Sequence, residues 1–259
     1  ATGSKYLTLQ EAYYQLHENA EGLGMVEVGW ITFHRWFFDS EQATGALTLP
    51  APEGAAWWHF GPDSPIGPDG LRTGCGRSWA GAGFFADLAA ADRVLDDPSA
   101  QFPDVPAHGE AFHCLLRAIR FSGDCRWLSA ANATLAVAEA DPGGPAAVLT
   151  SAGYDDMGPE QTERMRDFRE NVDRVRAWYD EIDGNIVNGN FATGTDGMTF
   201  SLWRSDDALR AGAYGPGMHR SQLDRQKAER LADRTSYTRT RLLRHTGTWD
   251  GRDPLIEVA

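Results

Sequence analysis

AGFFADLAAADRVL (residues 82–95) and TFSLWRSDDALRA (residues 199–211) share one plan, and their likeness decides the fold. Each reads as an apolar strand followed by a short helix that opens on acidic residues. Downstream of each stands another strand, then a Gly turn and a Trp: FHCLLRAIRFSGDCRW (112–127) after the first, YTRTRLLRHTGTW (237–249) after the second. Phe85 is then equivalent to Trp203, Gly123 to Gly247 and Trp127 to Trp249. The duplication is one of pattern more than of identity.

Two α+β units of this sort can pair their sheets within one chain, which covers edge strands that would otherwise invite aggregation. The expected class is therefore α+β, with two ferredoxin-like repeats forming an intrachain dimeric α/β barrel-like architecture. The break at ADPGGP (140–145) divides residues 25–140, the first repeat, from 145–259, the second. Residues 1–24 form an N-terminal extension, with a helix over Leu7–Asn19, where Thr8 and Glu11 have capping-box spacing.

Within the first repeat, strands are expected at Val26–Phe33, Trp79–Phe85 and Phe112–Phe121, with a helix over Leu88–Leu95 opened by Asp87. The Gly- and Pro-rich stretch 39–76 reads as a long loop with a short strand at Ala55–Phe60. Trp57, Trp58 and His59 either wall a pocket or staple this loop to the core. In the second repeat, strands are expected at Ala146–Ala152, Met198–Trp203 and Tyr237–His245. A long helix covers Gly158–Asp183, with Met165, Phe168, Val172, Val175, Trp178 and Tyr179 on one face. DGNIVNGN (183–190) reads as a turn. Helices over Asp206–Tyr214 and Met218–Leu231 are separated by Gly215–Gly217.

With 42% hydrophobic residues in 259, nine Trp and twelve Phe, the chain has ample material for a core. A net charge of −13 repels phosphate and argues against nucleic acid as partner. Three cysteines without a CxxC fit a reducing, cytoplasmic setting without a disulfide framework. No apolar run is long enough for a membrane span. HExxH, GxSxG, Walker A and GxGxxG patterns are all missing from the sequence, so zinc hydrolysis, serine hydrolysis and nucleotide binding are not suggested.

FSLWRSDDALRAGAYGPGMH (200–219) and TSYTRTRLLRHTGTWDGRDPL (235–255) resemble the closing segment of spheroidene monooxygenase-like proteins. A Leu-Trp strand end, a short helix with Ala, Leu and Tyr, a Pro/Gly turn, a helix with His, a strand with aromatic and Arg residues, and Gly-x-Trp-x-Gly stand in that order. Gly74, Gly76 and Trp79, then FFAD, Gly123 and Trp127, match more loosely, and the stretch 39–76 departs from the pattern. The resemblance implies a two-repeat ferredoxin-like barrel, haem b with its iron, and O2-dependent oxidation of an apolar metabolite, as in secondary metabolism. Haem-bearing relatives of the fold include aldoxime dehydratases. A cofactor-free oxygenase, in which a substrate anion meets O2 directly, and a non-catalytic binder of small molecules remain alternatives. The partners implied are a small-molecule substrate and O2 or peroxide, with the chain a monomer or a homodimer.

His219, just past the Gly215–Gly217 turn, is the leading candidate for the axial iron ligand, since neutral imidazole is the commonest proximal haem ligand. The plain alternative is an exposed helix histidine. Trp203 and Tyr214 read first as packing residues and second as candidates for cofactor contact. Tyr237, Arg239 and Arg241 share one strand face and are the candidate catalytic residues: an Arg there could hold a propionate, a distal oxygen ligand or a substrate anion, or simply face solvent. His34, beside Trp36 and Phe37, is the second candidate ligand. His113 reads as a core histidine, while His59, His108 and His245 read as loop or strand-end residues.

Overall fold

A computed structural model describes residues 25–43, 47–67, 73–125, 131–155 and 158–256. The helix expected over Leu7–Asn19, and Trp127, lie outside the described residues. The first repeat contains β2 (Trp30–Ala43), β3 (Ala55–Asp63), β4 (Cys75–Phe85), α1 (Leu88–Asp96), α2 (Pro98–Gln101) and β5 (Glu110–Gly123). Two short strands, β1 (Val26–Val28) and β6 (Ala133–Leu135), pair in parallel beside it. The second repeat contains β7 (Ala146–Gly153), α3 (Pro159–Tyr179), β8 (Asn185–Thr193), β9 (Asp196–Trp203), α4 (Asp206–Tyr214), α5 (Met218–Glu229) and β10 (Arg234–Gly247).

The main sheet runs β3-β4-β2-β5-β10-β7-β9-β8, every neighbouring pair antiparallel. From either edge inward the strands of each repeat follow the same order: second, third, first, fourth. Two ferredoxin-like sheets are thus joined through their last strands. The outer strands β3 and β8 come together across the remaining gap without a ladder between them among the described residues, which curls the sheet into a barrel. The expected fold class holds.

The join has near twofold symmetry. Gly123 and Gly247 end β5 and β10 with φ of 99° and 84°, where only glycine is unstrained. The residue after each continues the contact: Asp124 N donates to Thr235 O at 2.9 Å, and Thr248 N to Ala111 O at 2.8 Å. A Cβ on either glycine would strike the opposing main chain. The helices that follow β4 and β9 match as well, Asp87 capping α1 through Ala89 N and Ser205 capping α4 through Ala208 N.

Two expectations need correction. The stretch 39–76 carries more sheet than expected: β2 runs on to Ala43, and the strand expected at Ala55–Phe60 extends to Asp63 as β3, the place β8 takes in the second repeat. The punctuating glycines and prolines belong to the connections around an edge strand, where Pro62 is tolerated. DGNIVNGN is likewise the other edge strand, not a turn; Asn and Gly are depleted in strands, but Gly189 is needed because the Trp249 ring lies against it.

The barrel interior is filled. Phe33 of the first repeat stacks on Phe200 of the second, centroids 4.0 Å apart, and Leu149, Phe191, Met198, Leu116 and Phe84 complete the layer. Trp249 folds back from the chain end and closes one end against Phe112, Phe33 and Phe200. Arg35 lies over its ring at 4.3 Å and pairs with Glu110, which also accepts from Thr248, Asp250 and Gly251. Outside the barrel wall, each repeat has its own layer under its helices.

Candidate functional site

The layer under α3, α4 and α5 brings together most of the residues singled out in the sequence. Trp203, fully buried at the end of β9, points outward into it. Tyr179, the last residue of α3, meets Trp203 edge-on at 4.9 Å. Gly212 of α4 permits this packing, since a Cβ there would lie 2.4 Å from the Trp203 ring. Gly217 likewise admits Trp178. These close approaches explain the glycines at 212 and 217.

His219 enters this layer from the first turn of α5. Its Nδ1 lies 2.5 Å from the Ala213 carbonyl, six residues earlier across the Gly215–Gly217 turn, and its ring centroid is 5.7 Å from that of Tyr179. A carbonyl only accepts, so Nδ1 carries the hydrogen and Nε2 keeps its lone pair. Burial lowers the pKa and so favours the neutral ring; the Ala213 bond offsets part of this.

Tyr237 rises from β10 into the same layer. Its hydroxyl is buried without a hydrogen bond of ordinary geometry, with Tyr214 the polar group beside it. Burial, then Tyr214, push its pKa up, so it is a neutral donor. Burial and Tyr214 do the same to Tyr179. Tyr214 itself is half exposed at the rim, as is Met218.

Arg239 and Arg241 follow on the same face but turn toward the start of α4. Arg239 pairs with Asp206. Arg241, buried, grips both oxygens of Asp206 at 2.8 Å and both of Asp141, in the connection between the repeats. Its hydrogen bonds hold the Asp141 carboxyl down at about 2 and the Asp206 carboxyl below the usual range. Arg241 thus ties the connection between the repeats to α4, while Arg239 stands between that brace and Tyr237.

His34 lies in the other repeat, under α1. It is fully buried, its Nδ1 is 2.9 Å from that of His113, and Trp36, Trp58 and Phe102 surround it. Burial lowers both pKa values, that of His113 to about 4, which keeps the pair neutral. His245 bonds Asp253 near the chain end.

Two residues take places that the sequence reading did not give them. Tyr179 stood in the apolar stripe of α3, but its place at the helix end, where it can reach α5, was the signal for more than packing. His59 reads as a loop residue in the sequence; it is a mid-strand residue of β3 whose ring meets Phe191 across the β3–β8 gap at 5.4 Å.

Haem can be tested against this packing. The donor fits: a metal-ligating histidine typically fixes its tautomer by donating its other N–H to a carbonyl, as His219 does to Ala213. The space does not. Tyr179, Trp203, Val175, Leu209 and Ala213 fill the layer between the helices and β7–β10, so the packing leaves no slot for the macrocycle. Among the described residues, no group of three or more His, Cys, Asp or Glu is placed to hold a bare metal ion. No described helix is long and apolar enough to cross a membrane.

No protein-family model and no curated protein matches the chain. Solved structures match it in fold. An aldoxime dehydratase crystallised with butyraldoxime has a TM-score of 0.51 at 12% identity, over 85% of this chain and 82% of that one. A second aldoxime dehydratase structure has a TM-score of 0.49 at 11% identity, over 83% and 82%. A cofactor-independent oxygenase from Streptomyces nogalater has a TM-score of 0.27 at 14% identity, over 43% of this chain and 97% of that one. The first likeness places the chain in the class of dimeric α/β-barrel folds; at such identity a shared fold does not fix the reaction.

Proposed function

We propose that the protein is a monooxygenase-like oxidoreductase of a small or medium-sized apolar metabolite, with His219 Nε2 as its proton acceptor. One observation carries this: the Nδ1–H bond to Ala213 leaves Nε2 with its lone pair on a neutral, half-buried ring beside Tyr179. A base of that kind suits abstraction of an acidified C–H proton. The resulting carbanion reacts with O2, and a methylene becomes a carbonyl while the second oxygen leaves as water. The substrate itself supplies the electrons, so no external reductant is needed. The buried Tyr237 hydroxyl is the donor available to a developing oxyanion, and Arg239, beside it, favours negative charge there. The resemblance of Met198–Leu255 to spheroidene monooxygenase-like proteins supports an oxidative role.

A second reading is a haem b enzyme whose iron His219 would hold, either oxidising or dehydrating as the aldoxime dehydratases do. The fixed Nδ1 tautomer favours it, and bound iron would supply O2 or peroxide activation. It requires Tyr179 and Trp203 to give way.

Oxygen uptake by the purified protein, with a panel of compounds bearing acidic methylenes, tests the proposal. Turnover should occur in colourless protein and fall at least 100-fold in His219→Ala, in line with the usual worth of a general base. A Soret band on adding haemin, lost in His219→Ala, would transfer the function to the haem reading. No uptake by either form would leave a binding protein.

A further inference from the structure

The end of the barrel opposite Trp249 holds a second polar cluster that the His219 chemistry does not use. His59, Asp124, Ser151, Asp196 and Arg234 line a small cleft there, with Met198 and Ala152 as its apolar walls; its enclosed part has a volume of about 20 Å³. That is room for one water-sized group. Ser151 and Ser236, facing each other on β7 and β10, bond at 2.5 Å at its edge.

His59 is the unusual member. One ring nitrogen donates to the Phe191 main chain, and Nε2 is buried without a hydrogen-bond partner. An unmet buried acceptor is destabilising, so the site gains from any small group that donates to it. Burial lowers the His59 pKa to about 4, so the ring stays neutral and accepting at ordinary pH. The rim is acidic rather than cationic: Arg234 is engaged by Asp155 and Asp196, and Asp124 adds a further negative charge. Carboxylates and phosphates are therefore disfavoured.

We propose that this end of the barrel is a separate binding site for a neutral hydroxylic molecule, a small alcohol or phenol, whose hydroxyl donates to His59 Nε2. The hydroxyl occupies the enclosed part beside the Ser151–Ser236 pair, which can donate in return. The rest of the molecule lies outward along Met198 and Ala152.

Phenol is the probe, titrated into full-length protein while the His59 imidazole is followed by nitrogen-15 NMR. A saturable shift of the Nε2 resonance is expected. Apparent affinity should fall at least tenfold in His59→Phe, whose ring fills the place without accepting. Ser151→Ala, a milder change, should weaken binding several-fold with an unchanged circular dichroism spectrum. A His59 resonance unmoved by phenol would overturn the proposal and leave a site for structural water only. Tighter binding of benzylammonium than of phenol would also overturn it, in favour of a cation site. The His219→Ala variant should bind phenol like the parent, so failure here is distinguishable from failure of the oxygenase reading.

Discussion

His219 donates its Nδ1 hydrogen to the carbonyl of Ala213, the penultimate residue of the preceding helix. This bond fixes which nitrogen meets the substrate, and it depends on the turn between α4 and α5 keeping its shape. Gly217→Ala should break that dependence, because a Cβ at 217 would sit 2.5 Å from the Trp178 ring. The expected result is a loss of oxygen uptake with a smaller loss of stability, about 1–3 kcal/mol for an overpacked site, read by urea denaturation beside the activity assay.

Gly212→Ala makes the complementary case. Its Cβ would press on Trp203, a fully buried side chain that cannot retreat. Stability should fall by about 1–3 kcal/mol. Near-ultraviolet circular dichroism should report the displaced indole.

Acid should destabilise the protein through the paired histidines under α1. The folded-state pKa values of His34 and His113 lie below the ordinary histidine value, so the unfolded chain binds protons first as pH falls. Stability is therefore full above about pH 6.5 and declines as pH drops toward about 4, where His113 titrates in the folded protein. The urea midpoint measured across this range should slope downward, and His113→Leu should flatten the slope.

Trp249→Ala should cost about 3–5 kcal/mol, the usual range for removing a buried large aromatic. It also opens the closed end of the barrel, so 8-anilinonaphthalene-1-sulfonate fluorescence should rise in the folded variant. No rise would mean that Phe112, Phe33 and Phe200 collapse into the space.

Arg241→Ala should lower stability by about 1–2 kcal/mol, less than a fully buried pair because Asp141 and Asp206 are partly solvated. Arg241→Lys should recover little, since a single ammonium cannot hold two carboxylates side-on. Thermal denaturation of both variants checks this.

Much of the fold was legible because the duplicated pattern is local: a strand, a capped short helix and a glycine-ended strand recur with the same polarity. Asp87 and the Asp206–Asp207 pair announce helix starts, and Gly123 and Gly247 announce equal strand ends. Of the edge strands, β3 was legible in its core, Ala55–Phe60, but β8 was not. Their composition is set by what crosses them, Trp249 on Gly189 and Phe191 against His59, rather than by strand propensity. At the site, the sequence placed His219, Tyr237 and Trp203 near one another through the order of elements. It could not place Tyr179, whose partner lies 40 residues away, nor show that both oxygens of Asp206 are taken by Arg241.

The near-symmetric crossing at Gly123 and Gly247 has a further consequence. Two identical subunits meeting about a true twofold axis must present the same rim at both ends of their barrel. Here the halves are covalently one, and each rim is free to specialise: Trp249 corks one, while His59 and the paired serines furnish the other.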